Sequence, residues 1–150
     1  MRARTSQRAM IALAVCGLVA LITDSSRALA NTIDVTVEGA RSSRGQILIA
    51  LHDTPASFPN RWSGAAATLR VPASQRPVVV TFSDVPPGIY ALIAVHDEDG
   101  DGQMTKSLIG LPQEGFGTSN NPGFLGPPRF RAARFTLDSP ARLAIRMVYP

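Results

Sequence analysis

Residues 77–96, PVVVTFSDVPPGIYALIAVH, hold two runs of β-branched, aromatic and aliphatic side chains on either side of a Pro-Pro-Gly turn. Such side chains favour β-strands, whereas proline and glycine end them. The pattern repeats in both directions along the chain and predicts strands at residues 32–38, 45–52, 67–71, 77–85, 88–96, 134–138 and 141–149. About seven short strands separated by turn residues predict an all-β fold, an antiparallel β-sandwich.

The side-chain pattern of the single strands predicts which faces are buried. Ile33, Val35 and Val37 alternate with polar residues, as in a strand with one face in the core. Residues 47–51 are apolar on both faces, which is typical of a central strand that is covered on both sides. A short turn of hairpin type is expected at residues 41–45. The side chains predicted to be buried in the strands around the Pro-Pro-Gly turn are Phe82, Ile89, Ile93 and Val95.

The first thirty residues have the features of a cleaved signal peptide. Three arginines precede an uncharged apolar run at residues 10–22, and Ala28-Leu29-Ala30 gives the small-x-small pattern of a cleavage site. The apolar run is shorter than the roughly 20 residues that a membrane-spanning helix needs. We therefore expect a secreted or periplasmic protein with no transmembrane anchor, and a single domain at residues 31–150.

The charge and the cysteine content of the sequence bear on nucleic-acid binding and on whether the domain is held by disulfides. Residues 1–30 contain four of the 15 basic residues and one of the 11 acidic ones, so residues 31–150 carry 11 basic against 10 acidic residues. A nearly neutral domain does not predict nucleic-acid binding. Because Cys16 is the only cysteine, the expected domain has no disulfide and depends on its hydrophobic core.

A 33-residue connection, residues 97–129, follows the predicted strand at 88–96 and opens on DEDGDG. Loops beyond roughly 12–15 residues in a compact domain are usually functional or disordered. Asp97, Asp99 and Asp101 alternate and are followed by Gly102, which matches the first half of an EF-hand-type calcium loop. In such a loop the alternate residues direct oxygens at the cation, and the glycine permits the sharp bend.

This loop predicts a set of five calcium ligands. The carboxylates of Asp97, Asp99 and Asp101 and the backbone carbonyl of Gln103 would supply the first oxygens. The twelfth position, where an EF-hand has a bidentate glutamate, holds Leu108, so Glu114 is the predicted closing ligand. The alternative is a solvated Asp-Gly turn that binds no metal.

The two histidines suggest a different site. LIALHD ends at Asp53 and LIAVHD ends at Asp97, so His52 and His96 each close an apolar strand. If the two strand ends were aligned, these histidines and an aspartate could bind zinc or act as acid and base. The alternative is that each histidine is bonded to a nearby carboxylate or carbonyl group. The sequence has no cysteine in the predicted domain and no Gly-x-Ser-x-Gly elbow, so it does not predict a nucleophilic enzyme.

Two stretches, FSDVPPGIYALIAVHDEDGDGQM and IGLPQEGFGTSNNP, resemble the uncharacterised bacterial family known as domain of unknown function 2141. The resemblance covers residues 33–149 and implies an exported protein, but it implies no reaction. The Pro-Pro-Gly-Ile-Tyr turn is also similar to those of transthyretin-like and collagen-adhesin B-type sandwiches. The residues shared with the family are His96, Asp97, Gly102, Pro112, Glu114, Gly115, Gly117, Ser119 and Asn120.

These observations favour an exported β-sandwich binding module with a calcium-organised loop at residues 97–114. Its partner would be an unknown component of the cell envelope or the extracellular space. The first alternative is a metal-free envelope domain with a structural or interaction role. The second is a metal-dependent enzyme that uses His52 and His96.

Overall fold

The computed structural model describes residues 30–102, 113–123 and 126–150. Residues 1–29 of the predicted signal peptide, and Gln103, lie outside these described residues. The described part of the chain contains eight strands, one short α-helix and a 3-10 turn at Trp62–Gly64. The strands are β1 (Asn31–Glu38), β2 (Gln46–His52), β3 (Ala67–Pro72), β4 (Val78–Val85), β5 (Gly88–Asp97), β6 (Gly115–Thr118), β7 (Phe135–Leu137) and β8 (Ala141–Arg146), and the helix is α1 (Phe130–Ala133).

The strands form two sheets that pack as a sandwich. The three-stranded sheet has the order β4-β1-β8, and the five-stranded sheet has the order β3-β2-β5-β6, with β7 paired to β5. All of these pairings are antiparallel except that of β1 with β8, which is parallel. The predicted all-β sandwich is therefore confirmed, with one parallel pair at the β1–β8 boundary.

The main core lies between the two sheets. Ile33, Val35 and Val37 of β1 are at most 2% exposed and pack against alternate residues of β2 and β5. The alternation read from the sequence of β1 is therefore confirmed. All seven predicted strands are present, and β6 is an additional strand within the long connection.

The turn at residues 41–45 was wrongly predicted to be of hairpin type. It joins β1, which pairs with β4 and β8, to β2, which pairs with β3 and β5. The turn crosses from one sheet to the other because the apolar faces of both strands are buried against each other in the sandwich core.

A second apolar cluster covers the outer face of the five-stranded sheet. Leu48 and Ala50 of β2 and Ile93 of β5 are fully buried there under Phe58 and α1. This layer explains why β2 is apolar on both faces. It does not cover Ile89, which is 52% exposed, so the prediction that Ile89 is buried was wrong. The other three predicted core residues, Phe82, Ile93 and Val95, are buried.

The described residues contain no helix that is long and apolar enough to cross a membrane.

Candidate metal centre

The acidic loop leaves the end of β5 at a point where three segments meet. The pairing of β2 with β5 places Gln46 opposite Asp97, and the pairing of β5 with β6 places Gly115 opposite His96. Glu114 immediately precedes β6, so the sheet register brings it beside the start of the loop. Gln46, the start of the acidic loop and Glu114 therefore meet here although they lie far apart in the sequence.

Asp97 is fully buried and organises the turn that follows it. Its carboxylate accepts hydrogen bonds from Nε2 of Gln46 at 2.7 Å, from the N–H of Gly100 at 2.7 Å and from the N–H of Gly102 at 2.9 Å. Burial alone would raise the pKa of Asp97, but these donors outweigh it and hold the pKa below its usual value. Gly100 and Gly102 have φ of +80° and +77°, conformations that glycine adopts without steric cost.

One oxygen from each of Asp97, Asp99 and Glu114 lies within 4.8 Å of the other two. Asp97 and Glu114 are buried, whereas Asp99 is exposed and faces the solvent side. Three convergent carboxylates are a ligand set that suits a hard cation such as calcium, with water or carbonyl oxygens completing a shell of about six to eight. The structure thus brings together three of the five predicted ligands.

The structure does not place the other two predicted ligands, Asp101 and Gln103, in this group. Asp101 is not a member of the convergent group, and its backbone N–H donates to Oδ1 of Asp99 at 3.1 Å. Gln103 lies outside the described residues. The alternate spacing of the aspartates therefore does not make all three of them face one point.

Glu98 points away from this group and joins the loop to the β1–β2 connection. Its carboxylate accepts hydrogen bonds from Nε of Arg41 at 3.0 Å and from Oγ of Ser42 at 2.6 Å, and it forms an ion pair with Nη2 of Arg41. The hydrogen bonds from Arg41 and Ser42 lower the pKa of Glu98 to about 2. The N–H of Glu98 donates to Oε1 of Glu114 at 3.0 Å. Sequence reasoning did not find this link, because Glu98 lies outside the Asp-x-Asp pattern and Arg41 is far from it along the chain.

The shared histidine site, the alternative that depends on aligned strand ends, is not formed. Because β2 and β5 are antiparallel, His52 lies opposite Ala91 and His96 lies opposite Ile47, at the two ends of the pairing. The five residue steps from Ile47 to His52 separate the two histidines by about 16 Å at the usual strand rise. The two side chains also project from opposite faces of the sheet, so they cannot bind one metal ion.

His96 uses both ring nitrogens in a buried hydrogen-bond network. Nε2 donates to the carbonyl oxygen of Arg44 at 2.9 Å, and Nδ1 lies within hydrogen-bond distance of the hydroxyl of Tyr149, at 2.7 Å. The Tyr149 oxygen accepts in turn from the N–H of Arg41 at 2.9 Å. The guanidinium of Arg41 lies 4.6 Å from the centre of the Tyr149 ring. His96 is therefore a structural residue that fixes the C-terminal segment beside the acidic loop.

His52 is buried in the outer apolar layer. Its Nδ1 lies 2.8 Å from Oγ of Ser57, and its ring meets Phe58 edge-on at 5.5 Å between ring centres. Nε2 has no hydrogen-bond partner among the described residues. Burial lowers the pKa of His52, and the nearby Asp53 opposes this shift.

Several residues of the stretch IGLPQEGFGTSNNP, residues 109–122, have packing roles that sequence reasoning did not find. A methyl group at Gly117 would lie 2.5 Å from the carbonyl oxygen of Arg146, and one at Gly115 would overlap the Tyr149 ring. Ser119 accepts from the N–H of Leu92 at 2.9 Å and donates to the carbonyl oxygen of Ala133 at 2.5 Å. These residues hold β5, β6, β8 and α1 together around the loop.

Comparison with known proteins identifies one family. The model of a family described as uncharacterized protein conserved in bacteria (DUF2141) matches residues 35–144, which include the acidic loop and Glu114. No curated protein and no solved structure matches the chain. The matching family model carries no enzyme description.

Proposed function

The chain belongs to the DUF2141 family of uncharacterized bacterial proteins, and we propose that it is an exported binding module whose β-sandwich carries a calcium site in the loop after β5. The convergence of Asp97, Asp99 and Glu114 is the observation that supports this proposal. The proposed partner is a component of the cell envelope or the extracellular space.

The electrostatics of the three carboxylates favour a bound cation. Asp97 is fully buried and Glu114 is 5% exposed, so both carboxylates are largely removed from water. Like charges at about 4 Å repel by about 1 kcal/mol in water, and by more where the effective dielectric constant is lower. A divalent cation at the point of convergence reverses the sign of this interaction.

The ligand types favour calcium over other cations. The three side chains offer only oxygen, which suits hard cations, and the described residues bring no histidine or cysteine to the group. Calcium tolerates an irregular shell of oxygens that includes water. Magnesium requires near-octahedral geometry and releases its waters reluctantly, so we expect it to bind less well.

Thermal unfolding with and without calcium tests the proposal. A cation that binds only the folded state adds about 2.7 kcal/mol at one hundred times its Kd. We expect 10 mM calcium to raise the Tm of the wild type by several degrees, and a chelator to reverse the shift. Asp99→Asn and Glu114→Gln should each reduce the calcium-dependent shift strongly, because each removes one charged ligand and keeps the side-chain shape.

Asp101→Asn is the matched control. It removes one charge from the same loop but alters a residue outside the convergent group. It should keep most of the calcium response. An equal loss of response in Asp99→Asn and Asp101→Asn would indicate only diffuse attraction to the loop, and an unmoved wild-type Tm would refute the calcium site.

A metal-free structural domain is the second candidate, and the hydrogen bonds of Asp97 favour it. Three donors already engage the Asp97 carboxylate, which is enough to order a tight turn. In that case Asp97→Asn should destabilise the protein equally with and without calcium.

Export is tested separately by N-terminal sequencing of the mature protein. Cleavage after Ala30 predicts a first residue of Asn31, and a mature protein that keeps residues 1–30 would contradict export by this route.

A further inference from the structure

The edges of the two sheets differ in how they are protected. An exposed edge strand presents unpaired N–H and C=O groups that can pair with another chain, and proteins protect such edges with charges, prolines, bulges or covering groups. In this sandwich β8 and β4 are the edges of the three-stranded sheet, and β3 and β6 are the ends of the five-stranded order.

The β8 edge is closed by a side chain. The amide of Asn121 donates to the carbonyl oxygen of Ala144 at 2.8 Å and accepts from the N–H of Arg146 at 2.7 Å. One side-chain amide thus replaces the peptide group of a neighbouring strand. Arg142 and Arg146 add charge to the same strand.

The edges of the five-stranded sheet are also closed or charged. Phe116 of β6 exchanges two backbone hydrogen bonds with Val148, at 3.0 Å and 2.8 Å. β3 carries the exposed Arg70 and ends at Pro72, both of which disfavour the addition of another strand.

β4 lacks these features over most of its length. Residues 78–83 contain no charged side chain and no proline, and Val79 is 58% exposed. The pairing of β4 with β1 is regular from Val78 to Phe82 and shifts only beyond it, where Asp84 has φ of +58°. Among the described residues, no strand pairs with the outer side of β4.

We infer that β4 is a self-association edge, at which two copies of the chain pair antiparallel about a two-fold axis at Val80. The limits of the regular segment set this register. Centring on Val79 would bring Pro77, which has no N–H, into the paired segment, and centring on Thr81 would bring in Asp84. Only the register centred on Val80 confines pairing to residues 78–82.

The side chains of β4 are self-complementary in this register. Val79 of one copy lies opposite Thr81 of the other on the outer face, and cross-strand pairs of β-branched residues favour strand pairing. On the inner face Val78 lies opposite Phe82 of the other copy, and both side chains are already core residues. The two three-stranded sheets would then form one six-stranded sheet with its core continuous across the interface.

Sedimentation of the purified full chain over a range of concentrations tests the inference. We expect a concentration-dependent dimer in the wild type. Val79→Lys/Thr81→Lys should shift the equilibrium to monomer, by at least tenfold in dissociation constant, because each introduced lysine then faces a lysine of the other copy. The Tm should change little, because Val79 is exposed and a lysine at residue 81 replaces the hydrogen bond of Thr81 to Asp34 by an ion pair with the same carboxylate.

Two further samples separate edge pairing from a general charge effect. A mixture of the Lys variant with Val79→Glu/Thr81→Glu should recover a heterodimer, because opposite charges then face each other. Thr68→Lys/Thr136→Lys adds the same charge at exposed positions of β3 and β7 and should leave the dimer unchanged.

Single cysteines test the register. In a Cys16→Ser background, where the introduced thiol is the only one, a mixture of Val79→Cys and Thr81→Cys chains should form interchain disulfides under oxidation. Each variant alone should cross-link far less, since its two cysteines would be diagonal neighbours at about 7–8 Å. A wild type that stays monomeric, or a dimer that the lysines do not weaken, would overturn the inference.

Discussion

The hydroxyl of Tyr149 lies 2.7 Å from Nδ1 of His96, where the C-terminal segment meets the start of the acidic loop. This contact is one of two hydrogen bonds that engage the ring of His96 at the end of β5. Both His96 nitrogens are used, and the Tyr149 oxygen also accepts from Arg41 in the connection between β1 and β2. One tyrosine thereby fixes three segments at the end of the sandwich that carries the candidate metal centre.

Replacing Tyr149 by Phe should destabilise the fold. The change removes the partner of Nδ1 of His96 and the acceptor for the exposed N–H of Arg41. It leaves a nitrogen of the buried His96 unpaired, at a cost of about 1–3 kcal/mol. Urea denaturation of both proteins measures the difference in the free energy of unfolding. Tyr90→Phe is the control, because the Tyr90 hydroxyl makes one hydrogen bond, to the carbonyl oxygen of Pro86 at 3.0 Å. A loss at Tyr149 no larger than that at Tyr90 would contradict the bridging role.

Glu98 should contribute to stability in a defined acidic range. Its pKa is about 2 in the folded protein, because Arg41 and Ser42 donate to it, against an ordinary value of 4.5. A group with a lowered folded pKa stabilises the protein above its unfolded pKa, and this contribution is lost as the pH falls from about 4.5 towards about 2.

We therefore expect Glu98→Gln to lose less stability than the wild type between pH 5 and pH 2.5, as measured by urea denaturation. At neutral pH the same change should cost about 1 kcal/mol or less, since Arg41 is half exposed. Glu38→Gln, at the exposed end of β1, serves as the control. Identical acid profiles of the wild type and Glu98→Gln would show that the pairing with Arg41 has no effect on stability.

The strands could be predicted from the sequence because their signal is local. Alternation in β1 and a continuous apolar run in β2 each follow from which faces are buried. β6 could not be predicted in this way, since Gly115-Phe116-Gly117-Thr118 has little intrinsic strand preference. Its glycines are required by the Tyr149 ring and by the backbone of β8, which approach only in the folded structure.

The candidate site shows the same division between local and tertiary information. Asp97 and Asp99 belong to a recognisable local pattern, but their meeting with Glu114 depends on the register of β5 with β6. The two His-Asp strand ends look equivalent in the sequence. Because β2 and β5 pair antiparallel, the two strand ends lie at opposite ends of the pairing. No local feature of LIALHD or LIAVHD specifies this direction.

His52 should make the fold sensitive to mildly acidic pH. Burial lowers its pKa below the ordinary value of 6.5, and Asp53 offsets only part of this shift. Below about pH 6.5 the unfolded chain binds a proton at this site that the folded chain does not, so stability is complete above that pH and decreases as the pH falls towards the folded pKa. Denaturation at pH 7.5 and 5.5 should show a smaller loss for His52→Gln, which does not titrate, than for the wild type. Equal losses would mean that His52 is protonated as readily in the folded protein as in the unfolded chain.

Asn121 should stabilise β8 through its side-chain amide, and two substitutions separate the parts of this contact. Its φ of +44° is readily adopted by glycine, so Asn121→Gly removes both hydrogen bonds without backbone strain. We expect a loss of about 1–2 kcal/mol in urea denaturation, together with greater aggregation because the β8 edge is then open.

Asn121→Asp keeps the acceptor for Arg146 but places a carboxylate oxygen against the carbonyl oxygen of Ala144. Its stability should therefore improve as the pH falls and the carboxylate is protonated, whereas that of Asn121→Gly should follow the wild type. If Asn121→Asp shows no such improvement, the amide does not donate to Ala144 in solution, and the β8 edge must be protected by its arginines alone.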